Sequence, residues 1–86
     1  MSFHLDKRAR DIAERVARAP DNQLLTTEEV AAWFSVCPAS ICRMRREGIG
    51  PRVTYPTPLR PRYLKSDVMK FLEARAEAYA KKDAAR

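Results

Sequence analysis

The chain has 86 residues, of which 45% are hydrophobic and 33% are charged, and its formal net charge is +6. This length and composition predict one small, helix-rich globular domain and exclude a disordered chain. No apolar run approaches the ~20 residues of a membrane span, and the first ten residues lack the apolar centre of a secretory signal, so we expect a cytoplasmic protein.

The N-terminal segment predicts an amphipathic helix. Apolar side chains recur at every third or fourth position from Leu5 to Ala19, with charged residues around the rest of the helix. Pro20 ends the pattern. We expect residues 1–23 to form a helical extension.

The second helix has the best-marked start in the chain. Thr26 followed three residues later by Glu29 predicts a capping box, in which each side chain bonds the backbone N–H of the other residue. Leu25 and Val30 are placed to form the hydrophobic staple that accompanies such a box.

A third helix is predicted over residues 38–47. Pro38 suits the first helical position, Cys37 falls at the N-cap, and Gly48 supplies the C-terminal stop. Ile41 and Met44 are expected to face the core.

Residues 53–64 predict a small β-hairpin. Val53 and Tyr55 alternate with polar neighbours, as Tyr63 does, and we expect both tyrosines to pack across the hairpin onto the helices. Three prolines in residues 56–61 remove backbone donors and fix φ, so we expect a stiff tip without regular structure there.

A last helix is predicted from Ser66, which we expect to be its N-cap, with Asp67 in the first turn, where the helix dipole favours an acid. Residues 76–86 are expected to be the end of this helix and a tail.

The excess of positive charge lies in one window. Residues 41–65 contain seven basic residues and one acidic residue, Glu47, so this window alone has a net charge of +6. Such a concentration is expected of a surface that faces a polyanion, and a chance cluster of solvated arginines is the alternative.

The two cysteines do not predict a metal site or a disulfide. Cys37 and Cys42 are five residues apart, so on a helix their side chains point ~140° apart. Zinc needs about four ligands, and the chain has one histidine, His4, in another predicted helix, where we expect it to be exposed.

We find no set of catalytic nucleophile and base and no glycine-rich phosphate loop, so we expect a non-enzyme without a cofactor.

The order of these elements is that of a winged helix-turn-helix. Residues 24–51, "LLTTEEVAAWFSVCPASICRMRREGIGP", followed by "RYLKSDVMKFLEAR", resemble the MerR-type winged domains of excisionases and AlpA-like regulators. The resemblance covers residues 24–75 and implies a mainly α fold with a small β-hairpin, to which an N-terminal helix is added. Ser35 stands where that family usually has glycine, Cys37 stands at its usual serine cap, and the wing is longer and richer in proline.

On this resemblance, the third helix enters the major groove of double-stranded DNA. Arg43 is the best candidate for a contact with a base or a phosphate, Arg46 is expected to hold the backbone, and Ser40 to bond either group. Arg60 at the wing tip suits a narrow minor groove, and Arg62 is expected to hold a flanking phosphate. The complete set of expected DNA-binding residues is Pro38, Ala39, Ser40, Cys42, Arg43, Arg46, Arg60 and Arg62.

The resemblance implies a recombination directionality factor, or excisionase, and within that group the size and the wing suggest the RdfS type found in integrative and conjugative elements. Such a protein binds repeated attachment sites cooperatively and head to tail, bends the DNA and assists a site-specific integrase in excision. An AlpA-like transcriptional regulator is the first alternative. A packaging or adaptor module similar to terminase small subunits is the second, although the basic window disfavours a purely protein-facing module.

Overall fold

A computed structural model of the chain describes residues 7–84, with side chains described as far as residue 81. Leu5 and His4 therefore lie outside the described residues. The elements in chain order are α1 (Lys7–Arg18), β1 (Leu24–Leu25), α2 (Thr27–Phe34), α3 (Pro38–Glu47), β2 (Thr54–Thr57), β3 (Arg60–Leu64) and α4 (Lys65–Ala84).

The fold is mainly helical and has a small antiparallel sheet in the strand order β1-β3-β2. The two strands of the hairpin were expected, but β1 was not. It pairs Leu24 with Leu64 and Leu25 with Tyr63, so it extends the hairpin into three strands. Within residues 7–84, no helix combines the length and the apolar character needed to cross a membrane.

One hydrophobic core joins the four helices to β1 and β3. The N-terminal helix α1 is part of this core, because its residues Ile12 and Val16 are both buried there. The predicted extension is therefore packed into the same core as the rest of the domain. The buried members of the core are Ile12, Val16, Leu25, Val30, Ala31, Ala32, Ile41, Tyr63 and Val68.

The predicted capping box at the start of α2 is confirmed. The backbone N–H of Thr26 donates to Glu29 Oε1 at 2.8 Å, and the backbone N–H of Glu29 donates to Thr26 Oγ1 at 3.1 Å. Leu25 and Val30, the expected staple, are both fully buried in the core. The box satisfies two of the backbone donors that every helix start leaves unpaired.

Helices α2 and α3 both end in a left-handed residue. Ser35 has φ 61°, and Gly48 has φ 71°. At each end the next residue bonds back to the helix, Val36 N–H to Ala31 O and Ile49 N–H to Met44 O, both at 3.0 Å. This is the Schellman arrangement, and it favours glycine at the left-handed position. Gly48 was predicted as a stop, whereas Ser35 takes the strained conformation that its family resemblance assigns to glycine.

The expectation of an irregular tip over residues 56–61 is wrong. Strand β2 continues to Thr57 and β3 begins at Arg60, so the turn contains only residues 58 and 59. The pairing shifts by one residue between Thr54 and Thr57, which places Pro56 inside an irregular stretch of an edge strand, where a missing N–H is tolerated. Pro61 lies beyond the part of β3 that pairs with β1.

The expectations for Tyr55 and Ser66 are also wrong. Tyr55 lies on the edge strand β2 and is 51% exposed, whereas Tyr63 is buried as expected. Ser66 is the second residue of α4 and not its N-cap, because the helix begins at Lys65. The first backbone donors of α4 are bonded by carbonyls of the loop after α1, Lys65 N–H to Gln23 O and Ser66 N–H to Asp21 O, both at 2.9 Å.

Lys65 is a buried cation at the junction of β3 and α4. It is 5% exposed, and its ammonium group donates to Ala17 O at 3.1 Å and to Ala19 O at 2.6 Å, at the C-terminal end of α1. The ammonium also lies 5.6 Å from the centre of the Trp33 ring. Carbonyls at a helix C-terminus and an aromatic face are both favourable partners for a cation.

We expect Ser35→Gly to raise the free energy of unfolding by about 1 kcal/mol, because glycine adopts a positive φ without steric cost. Gly48→Ala is the matched control, since a Cβ there meets no atom within 4 Å and only the backbone is strained. It should lower the free energy of unfolding by about 1 kcal/mol. Urea unfolding followed by circular dichroism measures both, and a Ser35→Gly variant no more stable than the parent would contradict the expectation.

We expect Lys65→Met to lower the free energy of unfolding by about 2 kcal/mol, because two charge-assisted hydrogen bonds are lost and the end carbonyls of α1 lose their partner. Lys70→Met, at an exposed position of the same helix, should change it little. Amide hydrogen exchange locates the effect, and we expect faster exchange throughout α1. Equal unfolding free energies for the two variants would show that desolvation of the Lys65 ammonium cancels its bonds.

Candidate nucleic-acid interface

Helix α3 presents one face to the core and the opposite face to solvent. Ile41 is fully buried, and Met44 is partly buried against the core, as predicted from the sequence. Arg43 and Arg46 are exposed. Because Arg43 is two residues from Ile41, the two side chains lie about 200° apart around the helix axis. The predicted orientation of α3 is therefore confirmed, while the DNA contacts of its outer face stay predictions.

The residue at the N-cap of α3 is a cysteine and not one of the usual capping residues. Cys37 is the N-cap, but its side chain makes no capping hydrogen bond. Its thiol lies 3.4 Å from the hydroxyl of Ser40, and this hydrogen bond lowers the pKa of the Cys37 thiol. Pro38 and Ala39 are exposed beside it, so the start of α3 is open to a ligand.

The cysteines are free thiols and both are half-buried. Among residues 7–84, no group of three or more histidine, cysteine or acidic side chains is arranged to hold a metal ion. Cys42 lies at the flank of α3, 100° around the axis from Ile41, and is thus a less accessible member of the expected DNA-binding set than Arg43.

Arg45 has a different role from its two neighbouring arginines. Its guanidinium group donates to the Tyr63 hydroxyl at 3.1 Å, and a longer contact of 3.5 Å reaches the Thr27 hydroxyl. The bond to Tyr63 is the main reason why the pKa of Arg45 is raised. Arg45 thus ties α3 to β3 and to the start of α2. The sequence signal for this role is its position four residues after Ile41, on the inner side of the helix.

The hairpin presents its arginines beside the start of α2. Arg60 is exposed, while Arg62 is half-buried and its guanidinium group donates to the Pro61 carbonyl at 2.8 Å. An open groove separates residues 59–62 of the hairpin from residues 26–28. The start of α2 therefore borders both the hairpin, across this groove, and α3, through Arg45.

The structure divides the seven basic residues of the window into two groups. Arg45 and Lys65 are bonded inside the protein, at the two junctions described above. The other five are exposed or half-buried on α3, on the hairpin and on the segment between them, and no acidic residue occurs between Glu47 and Asp67. These five are Arg43, Arg46, Arg52, Arg60 and Arg62. The surface predicted to face a polyanion therefore contains five of the seven basic residues of the window. Its hairpin part contains no acidic residue.

We expect the hydrogen bond between Arg45 and Tyr63 to couple α3 to the hairpin by about 1 kcal/mol. A double-mutant cycle of Arg45→Met and Tyr63→Phe isolates it, since both substitutions keep the apolar part of the side chain and remove the polar group. Urea unfolding of the four proteins gives the coupling free energy. Additive effects of the two substitutions would show that the bond does not stabilise the fold.

Comparison with known proteins finds no relative of this chain. No protein-family profile, no curated protein and no solved structure matches the chain significantly. The resemblance to excisionases therefore stays a prediction.

Proposed function

We propose that this protein is a sequence-specific DNA-binding excisionase that uses a winged helix-turn-helix. In this proposal α2 and α3 are the helix-turn-helix, the β2–β3 hairpin is the wing, and α3 is the recognition helix. The protein binds attachment-site DNA, bends it and promotes excision of a mobile element by a site-specific integrase.

The observation that carries the proposal is the position of Arg43 and Arg46 on α3. Ile41 fixes the inner face of α3 in the core, and the outer face has two exposed arginines and small side chains at its start. The ten residues of α3 make a helix about 15 Å long, and the major groove, about 12 Å wide, admits a helix. The arginine side chain suits both guanine edges and phosphates, and both lie within reach in that groove.

The hairpin supports a second contact with the same ligand. Residues 48–66 contain no acidic side chain, and Glu28, across the groove from Arg60 and Arg62, is paired with Arg8, so the hairpin surface keeps a positive charge that attracts a polyanion. Since Arg45 bonds Tyr63 of β3, the hairpin is held to the recognition helix by a side-chain bond as well as by the chain. Two contacts held at a fixed spacing favour one orientation on the duplex.

The excisionase role requires several protomers on adjacent sites. Beyond Phe71, helix α4 is exposed through residue 81, and Tyr79 on it is 59% exposed. This part of α4 and the outer face of α1 are our candidates for contacts between head-to-tail neighbours. An excisionase requires tandem sites, whereas a promoter regulator of the AlpA type requires only an isolated site.

We expect Arg43→Ala to weaken DNA binding about 10- to 100-fold, the range for loss of a bidentate base contact. The probe is a 30-base-pair duplex enriched by the parent protein from a random-sequence pool, and affinity is measured by fluorescence anisotropy at several salt concentrations. Lys70→Ala is the matched control, because Lys70 is an exposed cation of α4 outside the proposed DNA-binding and protomer-contact surfaces and its loss changes the net charge equally.

The same titrations assign the role of Arg43. If it holds a phosphate, Arg43→Ala should lower the slope of log K against log salt by about 1 and weaken all sequences alike. If it reads a base, the slope should stay and the preference at one position should relax. An unchanged affinity at low salt would refute α3 as the recognition helix.

An excision assay with a site-specific integrase of the same mobile element separates the excisionase from the promoter regulator. We expect excision to depend on the protein, and footprinting to find tandem sites near the integrase core site. A single isolated site at a promoter, without an effect on excision, would favour the regulator.

A further inference from the structure

Leu59 occupies the tip of the β2–β3 hairpin and is 92% exposed. It is one of the two residues of the turn, with Pro58 before it. Single exposed apolar side chains are common on proteins, so exposure alone decides nothing. Two-residue hairpin turns, however, favour glycine, asparagine and aspartate, and a large apolar residue there is unusual.

The hairpin holds Leu59 in a restricted position. Pro56, Pro58 and Pro61 fix three φ angles within six residues around it. None of the residues of the turn has a positive φ, so the turn is formed without the flexible glycine that such tips usually contain. Since the prolines already restrict the backbone of the tip, little backbone conformational entropy is lost when the tip inserts into a partner, which favours a preformed wedge.

The surroundings of Leu59 favour a polyanionic partner over a protein groove. Arg60 follows it directly in the chain, and Arg62 lies in the same groove wall. Across the groove, Glu28 is the acidic residue among residues 26–28, and its carboxylate lies 3.4 Å from the guanidinium group of Arg8. An apolar tip flanked by arginine is the combination with which minor-groove proteins unstack and kink a duplex.

We propose that Leu59 is a wedge that inserts between two base pairs from the minor groove and kinks the DNA, while Arg60 contacts the groove beside it. The inference rests on the proposed function, and deepens it by assigning the bend to one side chain. A two-stranded ribbon with its side chains needs the width of the major groove, about 12 Å, and the minor groove is only about 6 Å wide, so the side chains of the tip enter it and the body of the hairpin stays outside. Leu59 and Arg60 are therefore the hairpin side chains that reach base edges.

The test compares DNA bending by the full chain and by Leu59→Ala. A 30-base-pair duplex enriched by the parent protein has a donor and an acceptor dye at its ends, and energy transfer reports the bend. A second copy of the duplex contains 2-aminopurine in the step under the hairpin, located by footprinting, and its fluorescence rises on unstacking. We expect the parent protein to produce a bend within the 20–90° range of wedge proteins, and Leu59→Ala to lose at least half of it together with the fluorescence rise.

Two further variants serve as controls. Leu59→Met keeps an apolar wedge of similar volume and should retain the bend and the fluorescence rise. Tyr55→Ala removes another exposed apolar side chain of the same hairpin, at 51% exposure, and should alter neither signal. Since Leu59 is nearly fully exposed, its substitution should leave the unfolding midpoint unchanged, so a loss of bend is not a loss of fold.

An unchanged bend and fluorescence in Leu59→Ala, with binding still dependent on Arg43, would overturn the wedge and leave the proposed function intact. Normal bending with loss of excision in a reaction containing the integrase would also overturn it, because Leu59 would then contact the integrase. Failure of the parent protein to enrich any duplex from the pool would overturn the proposed function and the wedge together.

Discussion

The junction between α1, α2, β3 and α4 is built around the buried ammonium group of Lys65. This one side chain bonds the carbonyls at the end of α1 and lies over the ring of Trp33 in α2, while its backbone begins α4 directly after β3. A buried cation cannot be left without partners, because the desolvation cost of an unpaired charge is several kcal/mol. The geometry of the junction is therefore narrowly defined, and with it the direction in which β3, and so the hairpin, leaves the core.

The position of α3 relative to the hairpin is fixed by a second cation. Arg43, Arg45 and Arg46 belong to one turn of one helix, yet they differ in environment because each step turns the side chain by about 100°. Arg45 faces inward and bonds Tyr63, while the other two face solvent. A ligand that meets both α3 and the hairpin thus meets two surfaces held together by Arg45, and the rigidity of their spacing comes from the protein before binding.

The sequence predicted those features whose partners are close in the chain. The capping box joins Thr26 to Glu29, and the stop at Gly48 depends on that residue alone, so a pattern of a few letters contains all of the physics. It missed β1, because Leu24 and Leu25 are too short a run to signal a strand and their partners are about 40 residues away. It misplaced the start of α4 for the same reason, since the donors there are bonded by the loop after α1 rather than by a local side chain.

The same distinction applies to the candidate site. The charge window was visible in the sequence, but charge counting treats all arginines and lysines alike and cannot separate Arg45 and Lys65, which bond other elements of the fold, from the arginines of the outer surface. The prolines of the hairpin were visible too, and their effect on pairing was misjudged. Pro56 lies in the irregular stretch of the edge strand β2, Pro58 in the turn and Pro61 in the part of β3 that does not pair with β1, and these positions are compatible with pairing and make the hairpin stiffer. A stiff hairpin delivers its tip residue to a defined place. In the proposed function, the exposed Leu59 is therefore a side chain held in a defined place, and the contact of the hairpin with DNA depends on its rigidity as much as on its charge.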